Sequence, residues 1–314
     1  MRNAPVSEDG PEAAPVGVFV GLATLDVIHR ITKPPEANEK TTSTAQFVAA
    51  GGPAANAAIT FAALGGQATL VTALGDDPVA DLIRADLAAH GVGVVDAAAG
   101  TTRTVPVSSV AVVESTGDRS VVSADAVTSD ASPPDDLDDL VARADVVLVD
   151  GHHPVMARAA VRLAAARGIT VVVDAGRWKP VMADLVPYVS DMVCSGDFRA
   201  PGADSSAATA AALLGDGVRT VVITHGGDPV TWWSCGESGS VAVPEVRVVD
   251  TLGAGDAFHG AYSYYSTWPD SAVAERIDRS SRVAALRCSV VGPRAWLSKL
   301  SGLAAEEQIG KRER

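Results

Sequence analysis

Short, nearly unbroken apolar runs alternate along the chain with segments whose apolar residues recur every three or four positions. VGVFVGLA (16–23), ATLVTALG (68–75), DVVLVD (145–150), ITVVVDA (169–175), DMVCS (191–195) and VRTVVITHGG (218–227) predict strands. Between them, PAANAAITFAALGG (53–66), PVADLIRADLAAHG (78–91), VMARAAVRLAAARG (155–168) and a stretch near 205–215 predict helices, the first three closing on glycine as helix ends often do. In the second of these, Val79, Leu82, Ile83 and Leu87 fall at helical spacing. A last strand-like run, AVPEVRVVD (242–250), leads into a helix predicted from Ala254 to Thr267. Continuous apolar strands bounded by helices indicate an α/β fold. Its sheet is mainly parallel and covered on both faces, with right-handed crossovers.

Two stretches break the rhythm. Residues 27–50 and 104–123 have partial two-residue alternation, polar turns and no helical pattern, which predicts hairpins forming a small β lid. No linker composition divides the chain and no internal repeat is evident. One domain over 16–303 is expected, with a disordered tail at 1–15 and a polar tail at 304–314.

The 314 residues are 47% hydrophobic, 20% charged and 4% aromatic, which suits one large α/β domain. A formal charge of −13 argues against a nucleic-acid backbone binder, although it permits a local site for one small anion. Cys194, Cys235 and Cys288 are far apart, so neither a disulfide framework nor a zinc site follows. The N-terminus lacks the apolar segment of a signal peptide, and no apolar run is long enough to span a membrane. A cytoplasmic location is the expectation.

The chemistry gathers in a few small-residue stretches. In DTLGAGDAFHG (250–260), Gly253, Ala254 and Gly255 precede a helix, so their amides offer a place for an anion. Such amides stabilise a phosphoryl group in transfer, and Asp256 beside them can take the proton of an attacking hydroxyl. The plainer reading is an acid favoured by the helix dipole. It loses ground because Asp250 and Thr251 place the motif at a strand end, where open α/β sheets bind ligands. Gly51 and Gly52 admit a ligand close to backbone, and Asn56 both donates and accepts, which suits a polyol. Asp26, ending GLATLD, can accept from two sugar hydroxyls, or it is a surface turn residue. Thr224, Gly226 and Gly227 form a glycine-rich strand exit able to hold a nucleotide, or simply a loop. No phosphate loop of the G-x-x-x-x-G-K-[ST] type exists, the first strand lacks G-x-G-x-x-G, and His152-His153 has no third spaced ligand.

Taken together these residues resemble the ribokinase-type, or PfkB, family of carbohydrate kinases. GGPAANAAITFAALGGQATLVTALGDD (51–77) is similar to its N-terminal signature and DTLGAGDAFHGAY (250–262) to its C-terminal one, in the right order. The resemblance implies a three-layer α/β/α fold with a β lid, and phosphoryl transfer from ATP to a sugar hydroxyl. It implies Mg2+ as cofactor, and a monovalent cation is a further candidate. It makes Asp256 the base and Gly253, Ala254 and Gly255 the anion hole. Asp26, Gly51, Gly52 and Asn56 become sugar ligands, and Thr224, Gly226, Gly227 and Ser195 line the ATP site. The family's Asn-x-x-Glu segment is replaced here by VCSGDFRA (193–200), where Asp197 would reach magnesium through water.

GGPAA, CSGDF and RVAALRCSVVGPRAWLS (282–298) resemble most the ketohexokinase and sulfofructose kinase branch. That resemblance puts Ala285, Cys288 and Gly292 on the adenine side and Lys40 in the lid as reader of an anionic substituent. An exposed surface lysine is the plainer alternative. His152 stands where that branch would offer an arginine, and Arg119 and Arg103 reach toward substrate from the second lid stretch. A ketose or modified ketose is therefore the expected acceptor, with ribose, fructose and nucleosides as rivals and a non-catalytic sugar or nucleotide sensor as the alternative of another class. The lid's apolar edges predict a homodimer.

Overall fold

The computed structural model describes residues 13–127, 129–269 and 271–300. The two expected tails, apart from residues 13–15, lie outside the described residues. In chain order the strands and helices begin with β1 (Val16–Val20), β2 (Thr24–Ile31), β3 (Ala45–Gly51), α1 (Pro53–Ala63), β4 (Gln67–Thr72), α2 (Pro78–Ala89) and β5 (Val92–Asp96). They continue with β6 (Val107–Val113), β7 (Arg119–Val122), α3 (Leu137–Ala142), β8 (Val146–Val149), α4 (Pro154–Ala166), β9 (Thr170–Ala175) and α5 (Met182–Leu185). They end with β10 (Asp191–Ser195), α6 (Ser206–Gly215), β11 (Thr220–His225), β12 (Asp228–Ser234), β13 (Glu237–Val241), α7 (Ala254–Ser266) and α8 (Val273–Cys288).

Nine strands form the main sheet in the order β13-β12-β11-β10-β9-β8-β1-β4-β5, parallel from β11 to β5 and closed at one edge by the antiparallel β12 and β13. Its central strands are buried on both faces, which is why they read as unbroken apolar runs. Val147 and Val149 of β8 enter the core shared with α3, α4, α5 and α6, while Val146 and Leu148 enter the core shared with α1, α2, α7 and α8. The three layers follow directly from that alternation.

The two stretches without helical pattern form a second, four-stranded sheet in the order β3-β2-β6-β7. Each is a hairpin, and β2 joins β6 in parallel with Asp26 opposite Ser108 and Ile28 opposite Val110. Strand alternation then sends Asp26, Ile28, Ser108 and Val110, all buried, to one face of the lid. The opposite face carries the exposed Val48, Val107 and Val122.

Two sequence expectations need correction. Residues 242–249 form no strand, and the chain instead returns toward the lid, where Arg30 Nη1 donates to the Val249 carbonyl at 3.1 Å. Pro244 has no N–H to give a ladder. The expected strand 218–227 ends at His225, and Gly226-Gly227 is the turn of a hairpin, with φ of 66° at Gly226.

Candidate active site

Helix α7 begins behind a left-handed turn, with φ of 70° at Gly253. Glycine adopts that conformation without the side-chain clash other residues incur. The Ala257 amide reaches the Gly253 carbonyl at 2.9 Å and the Ala254 amide reaches Thr251 at 3.3 Å. The amides of Gly253, Gly255 and Asp256 find no backbone acceptor among the described residues. The open donors are thus Gly253, Gly255 and Asp256 rather than an unbroken run, and with the helix dipole they suit an incoming anion.

Two residues hold the turn in place. Asp250 is buried and accepts from the Leu252 and Gly292 amides, each at 3.0 Å, while Arg287 Nη2 lies 3.2 Å from it. Thr251 Oγ1 donates to the Gly117 carbonyl at 2.8 Å and accepts from Arg119 Nη1 at 3.1 Å. The second lid hairpin is in this way fastened to the catalytic turn. Arg119 is thereby held beside Thr251 and is not among the residues lining the cleft described next.

Asp256 is half-buried in the first turn of α7. Asn56 Nδ2 of α1 donates to its Oδ2 at 2.8 Å. Burial, and then the nearby carboxylate of Asp174 at the end of β9, push its pKa up to about 6. Asn56, His259 and Arg119 pull the other way. A carboxylate so poised stays ionised near neutrality and is more basic than a free aspartate, as a general base should be.

A cleft of ≈ 360 Å³, its open mouth included, opens beside Asn56, the donor to this acid, and reaches Asp26 and Ile28 of the lid. Asp26, Asn56, Gly253 and Arg294 line it with Ile28 and Leu252. That mixture of charged, amide and apolar groups suits a small polar molecule. Asp26, which proves to lie within β2 rather than at the end of β1, is oriented by Thr24 Oγ1 at 2.7 Å. The glycine pair explains itself here. A side-chain carbon at Gly51 would fall 2.1 Å from Asp26 Oδ2, and Gly52, at φ 97°, faces the Leu22 carbonyl. Asp150, fully buried at the end of β8, accepts from Leu22 and Ala54 and ties this turn to the sheet.

The nucleotide candidates gather at the carboxyl edge of the sheet. Ser195 and Thr224 are register partners there, and their hydroxyls donate to Gly176 and Cys194 carbonyls at 2.7 and 3.3 Å. Gly226 and Gly227 are exposed in the following turn, and Asp197 is exposed just past β10. Ala285 and Cys288 lie in the last turns of α8, and Gly292 follows with φ of 90°. Lys40 is exposed between β2 and β3, away from the cleft lining. Arg103 bonds Ser129 at 3.0 Å, and His152 is buried against the Ala126 amide. Among the described residues no group of three His, Cys, Asp or Glu side chains could hold a metal.

Sequence reasoning missed three residues. Arg294 Nη1 donates to Asn56 Oδ1 at 3.2 Å, and its Nη2 reaches Asp86 at 2.8 Å and the Ala50 carbonyl at 2.6 Å. No local pattern marks it. Asp174 ends a strand just as DVVLVD ends on Asp150, and His259 stands one helical turn beyond Asp256. Both signals were available in the sequence.

A two-sheet α/β protein whose lid closes on a helix-start anion site and a poised carboxylate is built for phosphoryl transfer to a small alcohol. The chain belongs to the pfkB family of carbohydrate kinases, whose model matches residues 17–299. It is 29% identical over 293 residues to an ATP-dependent ribose-1-phosphate kinase of Halopiger xanaduensis, covering 88% of this chain and 92% of that one. It is 27% identical over 308 residues to the ribokinase of Mus musculus, covering 90% and 91%. Arabidopsis thaliana ribokinase, solved with ribose and ATP, shares the fold at a TM-score of 0.72 and 23% identity, over 90% of this chain and 94% of that one. The protein is an ATP-dependent sugar kinase. The narrower likeness to the ketohexokinase branch is not confirmed by these relatives.

Proposed function

We propose that the protein phosphorylates the primary hydroxyl of a neutral furanose sugar. The observation that carries this is the cleft itself, in which Asp26 and Asn56 offer hydroxyl partners, with Asp256 hydrogen-bonded to Asn56 beside it. Asp256 takes the hydroxyl proton as the sugar oxygen bonds to the γ-phosphorus. The bond from that phosphorus to the β-phosphate oxygen breaks, and ADP leaves. The Gly253, Gly255 and Asp256 amides hold the charge on the moving group.

Among the described residues the cation in the cleft lining besides Arg287 is Arg294, and its charge is already met by Asp86. Lys40 stays outside, so the described lining offers an anionic sugar no free counter-charge. Ribose and fructose-type ketoses share the furanose shape, and the ketose expected from the sequence remains a substrate beside ribose. Mg2+ bound to ATP would offset phosphate charge, and the exposed Asp197 just past β10 is the candidate to meet its waters. A monovalent cation finds a poor fit at the catalytic turn, because Arg287 already neutralises Asp250. A homodimer through the exposed Val48, Val107 and Val122 face of the lid, and a cytoplasmic location in keeping with ATP use and three free cysteines, complete the reading.

ADP release with ATP and Mg2+ over a panel of ribose, deoxyribose, fructose, ribose 1-phosphate, sulfofructose and nucleosides tests it. Ribose or fructose should lead the panel. Preference for a phosphorylated or sulfonated sugar would overturn the neutral-substrate reading.

A further inference from the structure

Two opposite charges are sealed beneath the catalytic turn. Asp250, just before it, and Arg287, in the last turn of α8, are each 2% exposed. Arg287 Nη2 lies 3.2 Å from Asp250 Oδ1, and its Nη1 donates to the Val290 carbonyl at 3.1 Å. Asp250 Oδ1 also accepts from the Leu252 amide, and Oδ2 accepts from the Gly292 amide. The Val249 and Asp250 amides reach the Cys288 carbonyl at 2.9 and 3.3 Å. A carboxylate, two peptide carbonyls and the negative end of a 16-residue helix therefore converge at one buried place. Oxygens gathered in this way are the donor set of a hard cation. Left unopposed, the carboxylate would be costly to bury. It would also repel a phosphoryl group arriving at the open amides of Gly253, Gly255 and Asp256.

We infer that the Arg287 guanidinium is the resident cation of the catalytic turn, standing where a free monovalent ion would otherwise be needed, so that the kinase works without one. This rests on the reading of that turn as the phosphoryl-transfer site. Arginine keeps its charge when buried, and its planar fork reaches a carboxylate and a carbonyl together. A free ion finds the place taken. The Asp250 oxygens already serve Leu252, Gly292 and Arg287, and the Val290 carbonyl serves Arg287. A second positive charge beside the buried guanidinium would be repelled. Arg287 acts on the site through Asp250, as a positioning residue. With its charge met, Asp250 holds the Leu252 amide, and Leu252 leads into Gly253, whose φ of 70° aims the open amides. An ion pair that served stability alone would leave turnover indifferent to the kind of cation offered after Arg287 is removed.

The first test needs no variant. ADP release by the full chain, with ATP, Mg2+ and the leading sugar of the panel, is compared in potassium, sodium and tetramethylammonium chloride at equal ionic strength, so that general screening is constant. Turnover should agree within about twofold across the three salts, and the melting temperature should be the same in each. A saturable activation by potassium of about fivefold or more would overturn the inference. In Arg287→Ala, turnover should fall about tenfold or more, then recover at least about threefold and saturably with potassium or guanidinium ion, but not with tetramethylammonium. Its melting temperature should rise with the same two ions, a readout independent of turnover. Adding Asp250→Asn to Arg287→Ala should abolish both responses, because no buried charge is left to meet. A folded Arg287→Ala that turns over like wild type, or that stays impaired in every salt, would overturn the role given to Arg287. Should that variant not fold, the wild-type salt series decides alone. Near-normal turnover in Asp256→Asn would instead strike the reading of the turn itself, whatever the salts do.

Discussion

Asn56 Nδ2 donates to Asp256 Oδ2 at 2.8 Å, joining the first glycine motif to the second across 200 residues of sequence. The amide side chain is held in that orientation from behind, because Arg294 donates to its oxygen. The proposed sugar contact and the proposed base are therefore coupled through one side chain.

Asp256→Asn should lower kcat by on the order of a hundredfold or more and spare nucleotide binding. Single-turnover phosphorylation and ATP titration calorimetry check the two halves. Turnover within a few-fold of wild type would contradict the role given to this acid.

Asn56→Ala removes the proposed sugar contact and the donor to Asp256 together. KM for sugar should rise about tenfold and kcat should fall. Asn56→Asp should be worse at neutral pH, since two carboxylates would then face each other and drive up the acid limb of the rate profile.

Arg294→Ala frees Asn56 to rotate and leaves the half-buried Asp86 with only the Ala50 amide and the neighbouring His90 ring. A stability loss of about 1–3 kcal/mol and a higher KM for sugar are expected. Arg294→Lys should not restore KM, because one ammonium cannot serve the three acceptors that the planar fork reaches. Denaturant melts and sugar saturation curves report each effect.

The raised pKa of Asp256 fixes two pH dependences. Activity should climb through an acid limb near pH 6 as the base ionises. The folded protein binds this proton more tightly than the unfolded chain does. Its contribution to stability is therefore full below the ordinary aspartate range and is lost as pH rises through about 6. Asp256→Asn should accordingly be more stable than wild type at pH 8, by on the order of 1–2 kcal/mol, with the gap closing toward pH 4. Melting curves at the two pH values measure it.

Gly52→Ala should destabilise by about 3 kcal/mol or more, since the position combines positive φ with a backbone oxygen 2.3 Å from the new carbon. A fall in melting temperature of about 5 °C or more would follow.

The alternation of VVLV and TVVVDA with alanine-rich helices made the layered sheet legible, because strands buried on both faces leave no polar interruptions. The lid was legible for the opposite reason, its strands being buried on one face only. Helix α8 gave no such signal. Ser280 and Ser281 interrupt its apolar stripe, and Ser280 spends its hydroxyl on the Arg276 carbonyl at 2.7 Å. The run AVPEVRVVD looked like a strand because its composition is β-rich, whereas the edge was already closed by the β12–β13 hairpin.

At the site, glycine spacing and the acid beside it pointed to Asp256, Asn56 and Asp26. Arg294 was invisible because its partners Asn56, Asp86 and Ala50 come from the far end of the chain. Lys40 carried the right charge in the right segment, but the exposed loop between β2 and β3 gives its ammonium no reason to enter the cleft.

The fastening of Arg119 to Thr251, and of Arg294 to Asn56, has a consequence for biosynthesis. The cleft's floor is made early and its acid and clamps late, so a chain still emerging from the ribosome can shelter a sugar nowhere and spend no ATP. Competence arrives all at once, with the final helices.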